Sequence, residues 1–279
     1  AAALILMAGI MNTWQTGQWS ITHTSPPITN ILTLALMVKL GLAPVHFWYP
    51  DVLQGSTMLT ALLISTWQKL APLSLLYLIT QTPSTGMLLM GLTSALLGGL
   101  MGLNQTQTRK LLAFSSIAHM GWLITALTLT PKLATVTFLA YIFMTTTMFL
   151  TLNPMMTKTI PDLGMTLPCY PTLTLIILLA ILSLGGLPPL SGFMPKWLIL
   201  NELVQNNLTS FATALALASL PSLYFYTRLT YTSTLTSSPN TTTTKHKWRF
   251  MPHLPKSLMV MAPLAVLLLP LTPTLSHAL

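Results

Sequence analysis

Three lysines lie inside apolar stretches of this sequence, where a charged side chain is unexpected: Lys39, Lys69 and Lys196. At about 1.5 Å of rise per helical residue, Lys39 and Lys69 fall near the middle of a hydrocarbon layer about 30 Å thick. A cationic lysine at that depth costs at least about 2.5 kcal/mol on insertion scales. Burial disfavours a charged amine whereas a nearby carboxylate or water column favours it, so such an amine can gain and lose a proton. The lysines therefore predict a proton or cation relay.

The alternative is that they bond freed backbone carbonyls and only hold helices together.

Two histidines are candidates for the same relay. His46 follows Lys39 closely, and His119 lies in an apolar span together with Ser115 and Ser116. Histidine titrates near neutral pH and can pass a proton between water chains. A single histidine hydrogen-bonded to a neighbouring serine is an equally good interpretation of either residue, so the sequence leaves both open.

Two spans are interrupted by glycine and proline. The strings are KLGLAPVHFWYP, starting at Lys39, and GGLPPLSGFMPKW, at 185–197. Proline removes a helix donor and clashes with the preceding turn, so nearby carbonyls lose their partners. Such carbonyls are tolerated at membrane depth only where they line protein or a polar cavity. We therefore expect water near both breaks, and a pair of interrupted spans also suggests transporter-like repeats.

The composition of the chain indicates what must position these residues. Of its 279 residues 52% are hydrophobic and only 5% are charged, which is too little charge to coat a soluble globule. In a lipid bilayer the backbone N–H and C=O groups of a chain must bond one another, so we predict an all-α, polytopic transmembrane helix bundle. The net charge of +9 forms no dense basic face, so no nucleic-acid partner is expected. The single cysteine, Cys169, excludes a disulfide framework or an iron–sulfur cluster built by this chain alone.

The apolar runs predict one transmembrane domain over 1–279 with about nine crossings. The sequence begins with AAALILMAGIM, which is about half of an apolar run that could cross the membrane, so we expect the first crossing to be partial. Broken helices are predicted near 28–55 and 172–204, and a basic loop at 232–256. If 172–204 is counted as one broken crossing, eight cationic loop residues lie on one face of the membrane and only Lys132 lies on the other. The positive-inside bias favours this distribution. The basic loop is then on the negative side of the membrane.

Long strings in this chain resemble those of a known family. They are KLGLAPVHFWYPDVLQG at 39–55, TWQKLAP at 66–72, NQTQTRKLLAFSSIAHMGW at 104–122 and SLGGLPPLSGFMPKW at 183–197. Their sequences and order are similar to those of the mitochondrial NADH-ubiquinone oxidoreductase chain 2 family. The resemblance covers essentially the whole chain.

The resemblance implies an antiporter-like, proton-translocating subunit of respiratory complex I, multi-pass in the mitochondrial inner membrane. It implies that the chain binds no cofactor, that NADH, FMN, iron–sulfur clusters and ubiquinone belong to the rest of the complex, and that its partners are the other membrane-arm subunits and the lipid bilayer. Lys39, Lys69 and Lys196 match the family's lysines of a hydrated midplane axis. The family's glutamate partner of the first lysine precedes the start of this chain, so Lys39 is expected to lack it here.

Two other functions remain open from the sequence. A stand-alone cation/proton antiporter shares broken helices but needs acidic cation ligands within its spans. A non-pumping membrane scaffold would tolerate replacement of the buried lysines by apolar residues.

Overall fold

The computed structural model describes residues 2–15, 17, 26–80, 85–166, 170–237 and 255–271. All regular secondary structure in these ranges is helical, which confirms the all-α prediction. The α-helices are α1 Ala2–Gln15, α2 Pro26–Leu40, α3 Trp48–Gly55, α4 Met58–Ser65, α5 Trp67–Ile79, α6 Thr85–Gly102, α7 Thr108–Leu129, α8 Pro131–Met155, α9 Ile160–Met165, α10 Pro171–Gly185, α11 Phe193–Gln205, α12 Thr209–Leu235 and α13 Lys256–Leu267.

Four described segments are long and apolar enough to cross a membrane. They are Met58–Ile79, Thr85–Gly102, Thr108–Leu129 and Pro131–Met155. Helix α7 is the centre of the bundle, because 94% of its most apolar window is buried inside the protein. The count of about nine crossings for the whole chain stays a prediction.

The first predicted break separates α2 from α3. Helix α2 ends where Gly41 adopts a left-handed φ of 75°, which glycine enters without a steric cost. The Gly41 N–H donates to the Val38 carbonyl at 3.2 Å, and the Leu42 N–H reaches back to the Met37 carbonyl at 3.1 Å. These bonds close the helix end, as is common at glycine C-termini.

The second predicted break, between α10 and α11, repeats this geometry. Gly186 has a φ of 81° and donates to the Ser183 carbonyl at 2.9 Å, while the Leu187 N–H points to the Leu182 carbonyl at 3.5 Å. The half-helices before the two breaks are both 15 residues long. Two discontinuous helices with matching breaks confirm that part of the predicted fold class.

A third interruption was not predicted and lies between α4 and α5. The Thr66 hydroxyl donates to the Leu62 carbonyl at 2.7 Å, and the Lys69 N–H donates to the Thr66 carbonyl at 3.3 Å, three residues back. The usual α-helical acceptor for Lys69 would be the carbonyl of Ser65. The kink therefore leaves the Ser65 carbonyl free to accept a hydrogen bond from another group.

Helices α6 and α7 pack almost backbone to backbone. A Cβ atom added at Gly91 would lie 2.9 Å from the Gly121 carbonyl oxygen, and one added at Gly98 would lie 2.7 Å from the Ala118 nitrogen. Small residues allow this approach between helices in membranes, where van der Waals packing stabilises association. The contact fixes α7, which carries His119, against the bundle.

Three described basic residues, Arg109, Lys158 and Arg228, lie at one end of the bundle. Arg109 donates to the Gln54 carbonyl at 3.1 Å, and Arg228 donates to the Gln105 carbonyl at 3.2 Å. Lys132 lies at the start of α8, and Lys158 follows the opposite end of that helix. Most of the predicted basic loop, 238–254, lies outside the described residues, so its side of the membrane stays a prediction.

Asp162 stabilises the start of the short helix α9, outside the spanning segments. Its carboxylate accepts hydrogen bonds from the Thr159 N–H at 2.8 Å and the Lys158 N–H at 3.2 Å. Hydrogen bonding from Thr159, first by its side chain and then by its backbone, lowers the pKa of Asp162. This stabilisation is therefore present above the ordinary carboxyl pKa and is lost as the pH falls through the lowered value.

We predict that Gly98→Ala destabilises the protein by about 1–3 kcal/mol, because the new methyl group forces α6 away from α7. Gly86→Ala on the same helix is the matched control, since a Cβ there meets nothing within 4 Å. The measurement is the temperature at which the protein in native membranes loses its resistance to protease. Equal temperatures for the two variants would contradict the close packing of α6 and α7.

Candidate functional site

Lys69 lies in the interior with its amine between two tyrosines. Its side chain is only 3% exposed, and its Nζ donates to the Tyr141 hydroxyl at 3.1 Å. The Nζ is 4.9 Å from the ring centroids of both Tyr49 and Tyr141. Aromatic faces attract a cation, most strongly where water is excluded. The pocket therefore compensates part of the cost of burying this amine.

The kink between α4 and α5 completes the Lys69 pocket. The Tyr141 hydroxyl donates its hydrogen to the Ser65 carbonyl at 3.1 Å, the acceptor that the Lys69 backbone leaves unused. Since that hydrogen is committed, the lone pairs of the hydroxyl oxygen are free to accept from the lysine. A hydroxyl acceptor bonds an ammonium or a neutral amine, so the geometry suits a group that changes its protonation state.

Lys196 lies in the first turn of α11, after the second break. Its half-buried side chain donates from Nζ to the Gly185 carbonyl at 2.8 Å, at the end of α10. A Cβ on Gly186 would lie 2.8 Å from this Nζ. Glycine is therefore needed there for the left-handed turn and for the approach of the amine. The second break both frees a carbonyl and makes room for the lysine that bonds it.

His119 lies on the central helix α7, near both lysines. Its ring centroid is 5.8 Å from that of Tyr141, the hydrogen-bond partner of Lys69. Both Lys69 and Lys196 are close enough to act electrostatically on the imidazole, which also lies near the Leu184 carbonyl beside the second break. The fold therefore brings three of the predicted residues near one another, and we call this group the row: Lys69, His119 and Lys196.

Lys39 is not part of this row within the described residues. Its side chain is exposed near the end of α2, whereas the sequence led us to expect burial. Neighbouring Val38 accepts a hydrogen bond from the Trp48 indole at 3.2 Å across the break. Lys39 at the first break is therefore exposed, whereas Lys196 at the second break is half-buried. The relay role of Lys39 stays a prediction.

His46 is buried inside the first break, with 2% of its surface exposed. Its Nδ1 is 3.3 Å from the Pro44 carbonyl, and its ring stacks on Phe47 at a centroid distance of 4.4 Å. Its Nε2 has no hydrogen-bond partner among the described residues. The described contacts of His46, with Pro44, Phe47 and Phe114, do not include Lys69, His119 or Lys196.

Sequence reasoning missed the buried tyrosines of the site. The hydroxyls of Tyr49 and Tyr226 are buried and form no hydrogen bond with well-formed geometry within the described part of the chain. They nevertheless lie near Ser116 and Ser115, respectively. Buried polar groups normally require a partner, often ordered water. Tyr49 could have been noticed beside His46 in the first break, but nothing marked Tyr141 or Tyr226 as more than packing residues.

The arrangement can bind and release protons, and it offers no metal centre. No group of three or more His, Cys, Asp or Glu residues that could hold a metal ion occurs in the described ranges. The groups that meet in the row are amines, an imidazole, hydroxyls and backbone carbonyls. All are hydrogen-bonding groups, and the amines and the imidazole exchange protons.

Two family models match the chain. The model described as NADH:quinone oxidoreductase/Mrp antiporter, TM, matches residues 3–221, which include both breaks and the row of site residues. The model described as NADH dehydrogenase subunit 2 C-terminus matches residues 223–276. The two matches together extend over nearly the whole chain.

Relatives named NADH-ubiquinone oxidoreductase chain 2 are similar over nearly this entire length. The protein of Polypterus ornatipinnis is 48% identical over 276 residues, covering 99% of this chain and 80% of the relative. That of Carassius auratus is 51% identical over 280 residues, with 99% and 80% covered. That of Xenopus laevis is 50% identical over 276 residues, with 98% and 80% covered.

Solved structures share the fold. A chain of respiratory complex I from Thermus thermophilus with bound aureothin is 27% identical with a TM-score of 0.78, covering 96% of this chain and 65% of that chain. A chain of the Mrp complex from Dietzia sp. is 17% identical with a TM-score of 0.75, covering 86% and 49%. This chain thus spans less than two thirds of either matched chain.

The matches in sequence agree with the matches in fold, and they include the segments that build the two breaks and the Lys69 pocket. The chain belongs to the NADH-ubiquinone oxidoreductase chain 2 family, the antiporter-like membrane subunits of NADH:quinone oxidoreductase.

Proposed function

We propose that this chain conducts protons through the membrane arm of complex I along Lys69, His119 and Lys196. The observation that carries the proposal is the way the two amines are held. Each bonds a group that depends on a helix interruption, the Tyr141–Ser65 pair for Lys69 and the Gly185 carbonyl for Lys196. His119 lies within electrostatic range of both.

The proton step itself needs no cofactor. An ammonium gives up one proton by breaking an N–H bond, and the next acceptor, a water molecule, imidazole or amine, forms one bond to that proton. The amine left behind still donates to its tyrosine hydroxyl or backbone carbonyl, because a neutral amine keeps two N–H groups. The side chains can therefore change charge without losing the contacts that position them.

Coupling along the row follows from Coulomb's law at low dielectric. Two like charges a few ångströms apart interact much more strongly inside a protein than in water. A proton arriving at one amine therefore favours departure of the proton from its neighbour. Electrostatic change delivered from adjoining subunits, driven by quinone reduction, would move protons along the row by the same interaction.

Lys39 joins this route, in our proposal, through a group on another element. Its side chain is exposed on the described surface, and a charged amine facing lipid is costly. A carboxylate on an adjoining segment or subunit would offset that cost and provide the next proton acceptor. His46 is a further member of the proposed relay, on the side of the first break.

Membership of the family supports a role for the chain within a larger assembly. We propose that it lies in the mitochondrial inner membrane against the other membrane-arm subunits and lipid, with no nucleic-acid partner. NADH, FMN, the iron–sulfur clusters and ubiquinone are then bound by other parts of the complex. This chain contributes proton conduction rather than redox chemistry.

We predict that Lys69→Met in the assembled complex lowers NADH-driven proton transport by about tenfold or more, which corresponds to roughly 1.4 kcal/mol or more in an activation barrier. Methionine keeps much of the volume but removes the exchangeable proton. Lys132→Met is the matched control, because Lys132 is exposed at the start of α8, away from the row. Transport is measured in sealed vesicles as protons moved per NADH oxidised, together with the oxidation rate.

Unchanged transport in Lys69→Met would contradict the proposal and favour the scaffold interpretation. Such a scaffold could even gain stability when the buried amine is replaced. Equal losses in Lys69→Met and Lys132→Met would point to an assembly defect, which also contradicts a specific role for Lys69.

Tyr141 and Tyr49 provide a second, more selective test. Tyr141→Phe removes the acceptor of Lys69 and the donor to the Ser65 carbonyl, and we expect it to cost about 1–3 kcal/mol of stability. Tyr49→Phe removes a hydroxyl without a described partner, so thermal stability should stay unchanged or rise. Both substitutions keep an aromatic ring over Lys69.

Proton transport in the same two variants checks that the pocket positions the amine. We expect Tyr141→Phe to slow transport per NADH in the complex that survives assembly, compared with the exposed control Tyr224→Phe. Thermal inactivation of the assembled complex measures the stability difference. Equal stability of Tyr141→Phe and Tyr49→Phe would contradict the hydrogen-bond arrangement assigned to Tyr141.

A further inference from the structure

The second break is hydrogen-bonded to the C-terminal helix α13 through one buried serine. Ser191, in the connector between α10 and α11, is 2% exposed. Its N–H donates to the Val266 carbonyl at 3.3 Å, and its hydroxyl donates to the Ala265 carbonyl. One residue thus joins the connector to the last turn of α13, and we call these two hydrogen bonds the α13 contact.

The end of α13 leaves both of these carbonyls without a helical partner. In a continuing α-helix the Val266 carbonyl would accept from the N–H of residue 270, but Pro270 has none. The Ala265 carbonyl would accept from Leu269, which lies beyond the end of the helix. Backbone carbonyls at membrane depth need a partner. Ser191 therefore satisfies the two groups that the end of α13 frees.

Apolar packing forms a second connection between α13 and the same region. Leu268, at the end of α13, is 5% exposed and belongs to a buried cluster with Met194 and Val136. Met194 lies in the first turn of α11, two residues before Lys196. The end of α13 therefore holds both the connector and the start of the half-helix that carries Lys196.

The first break has the same local backbone without this contact. His46 and Ser191 are each the fifth residue after the left-handed glycine of their break, and each accepts at its carbonyl from the N–H three residues later. The His46 ring bonds the Pro44 carbonyl of its own connector, and no hydrogen bond from His46 to another helix occurs in the described part of the chain. The break that is bonded to another helix is thus the one whose lysine is bonded inside the chain.

We propose that Ser191 is a positioning residue for proton transfer at Lys196. This inference rests on the proposed conduction through Lys196 and adds the contact that holds its amine in place. The hydrogen bond from Nζ to the Gly185 carbonyl joins α11 to the end of α10, so it requires the two half-helices to keep their separation across the connector. The α13 contact fixes that connector. Loss of the Ser191 hydroxyl lets α11 and its amine move away from the acceptor.

The α13 contact also gives the C-terminal segment a role at the site. The second break lies within 3–221, the stretch matched by the antiporter model, whereas α13 lies within 223–276, the stretch matched by the second model. Helix α13 contains no residue of the row. Its effect on transport is therefore transmitted by the residues it touches, Ser191 and Met194.

Hydrogen exchange tests the α13 contact without depending on proton transport. Ser191→Ala removes the hydroxyl and keeps the N–H that bonds Val266. Ser183→Ala is the matched control, because this similarly buried hydroxyl bonds the Ala180 carbonyl within its own helix, α10. Exchange of the backbone amides in 187–194 is measured by the mass of peptides from the assembled complex.

We expect exchange in 187–194 to be about three- to tenfold faster in Ser191→Ala than in Ser183→Ala, the factor typical of one intramolecular hydrogen bond. Protons moved per NADH oxidised should fall by about threefold or more in Ser191→Ala, because misplacing a reacting group slows its transfer. They should stay normal in Ser183→Ala. A contact that only stabilises the fold would lower the amount of assembled complex and leave protons per NADH in the surviving complex unchanged.

A second pair of variants weakens the connection from the other side. Leu268→Ala removes apolar packing against Met194, and Leu267→Ala, its exposed neighbour on α13, is the control. We expect faster exchange in 187–194 only in Leu268→Ala, and this pair decides the proposal if Ser191→Ala does not assemble. Unchanged exchange in both Ser191→Ala and Leu268→Ala, or normal transport despite faster exchange, would overturn the proposal.

The test separates this proposal from the lysine relay. Lys196→Met tests the relay in the same transport assay, whereas hydrogen exchange reports only on the α13 contact. Normal transport in Lys196→Met would reject the relay and, with it, the positioning role of Ser191, even where exchange is faster in Ser191→Ala. Lost transport in Lys196→Met with normal transport in Ser191→Ala would keep the relay and reject the positioning role.

Discussion

The structure depends on one constraint, that every backbone polar group within the hydrocarbon layer needs a partner. An unbroken helix satisfies this rule internally, whereas a break leaves carbonyls that lipid cannot solvate. At two of the three interruptions described, the partners are side chains with labile protons. Lys196 bonds the Gly185 carbonyl, and Tyr141 bonds the Ser65 carbonyl while accepting from Lys69. The cost of interrupting a helix and the cost of burying an amine therefore offset each other.

This pairing explains why the breaks and the ionisable residues occur together. The two predicted breaks have the same glycine geometry and hydrogen bonds, yet they treat their lysines differently. Lys196 follows its break and turns back to the preceding half-helix, whereas Lys39 precedes its break and faces outward. The repeated element is thus the backbone, whereas the lysine is held inside the chain at the second break and lies on the surface at the first.

The sequence predicted the features that follow from local chemistry. Glycine and proline marked both broken helices, and the apolar composition with little charge predicted an all-α membrane bundle. The kink at Thr66 was not predicted, because threonine carries no breaker signal and Pro72 lies six residues further along, inside α5. Tyr141 was missed for a related reason, since only tertiary packing shows that its hydroxyl meets Lys69. The exposure of Lys39 likewise depends on which helix face the bundle covers.

The central claim is that the amines of Lys69 and Lys196 exchange protons through a hydrated path past His119. The most direct measurement is a density map of the assembled complex, with its neighbouring subunits, in which ordered water is visible. The account predicts a continuous chain of hydrogen-bonded water and side chains joining the two Nζ atoms. Dry apolar packing between them, with either amine extended toward the lipid headgroups, would contradict it.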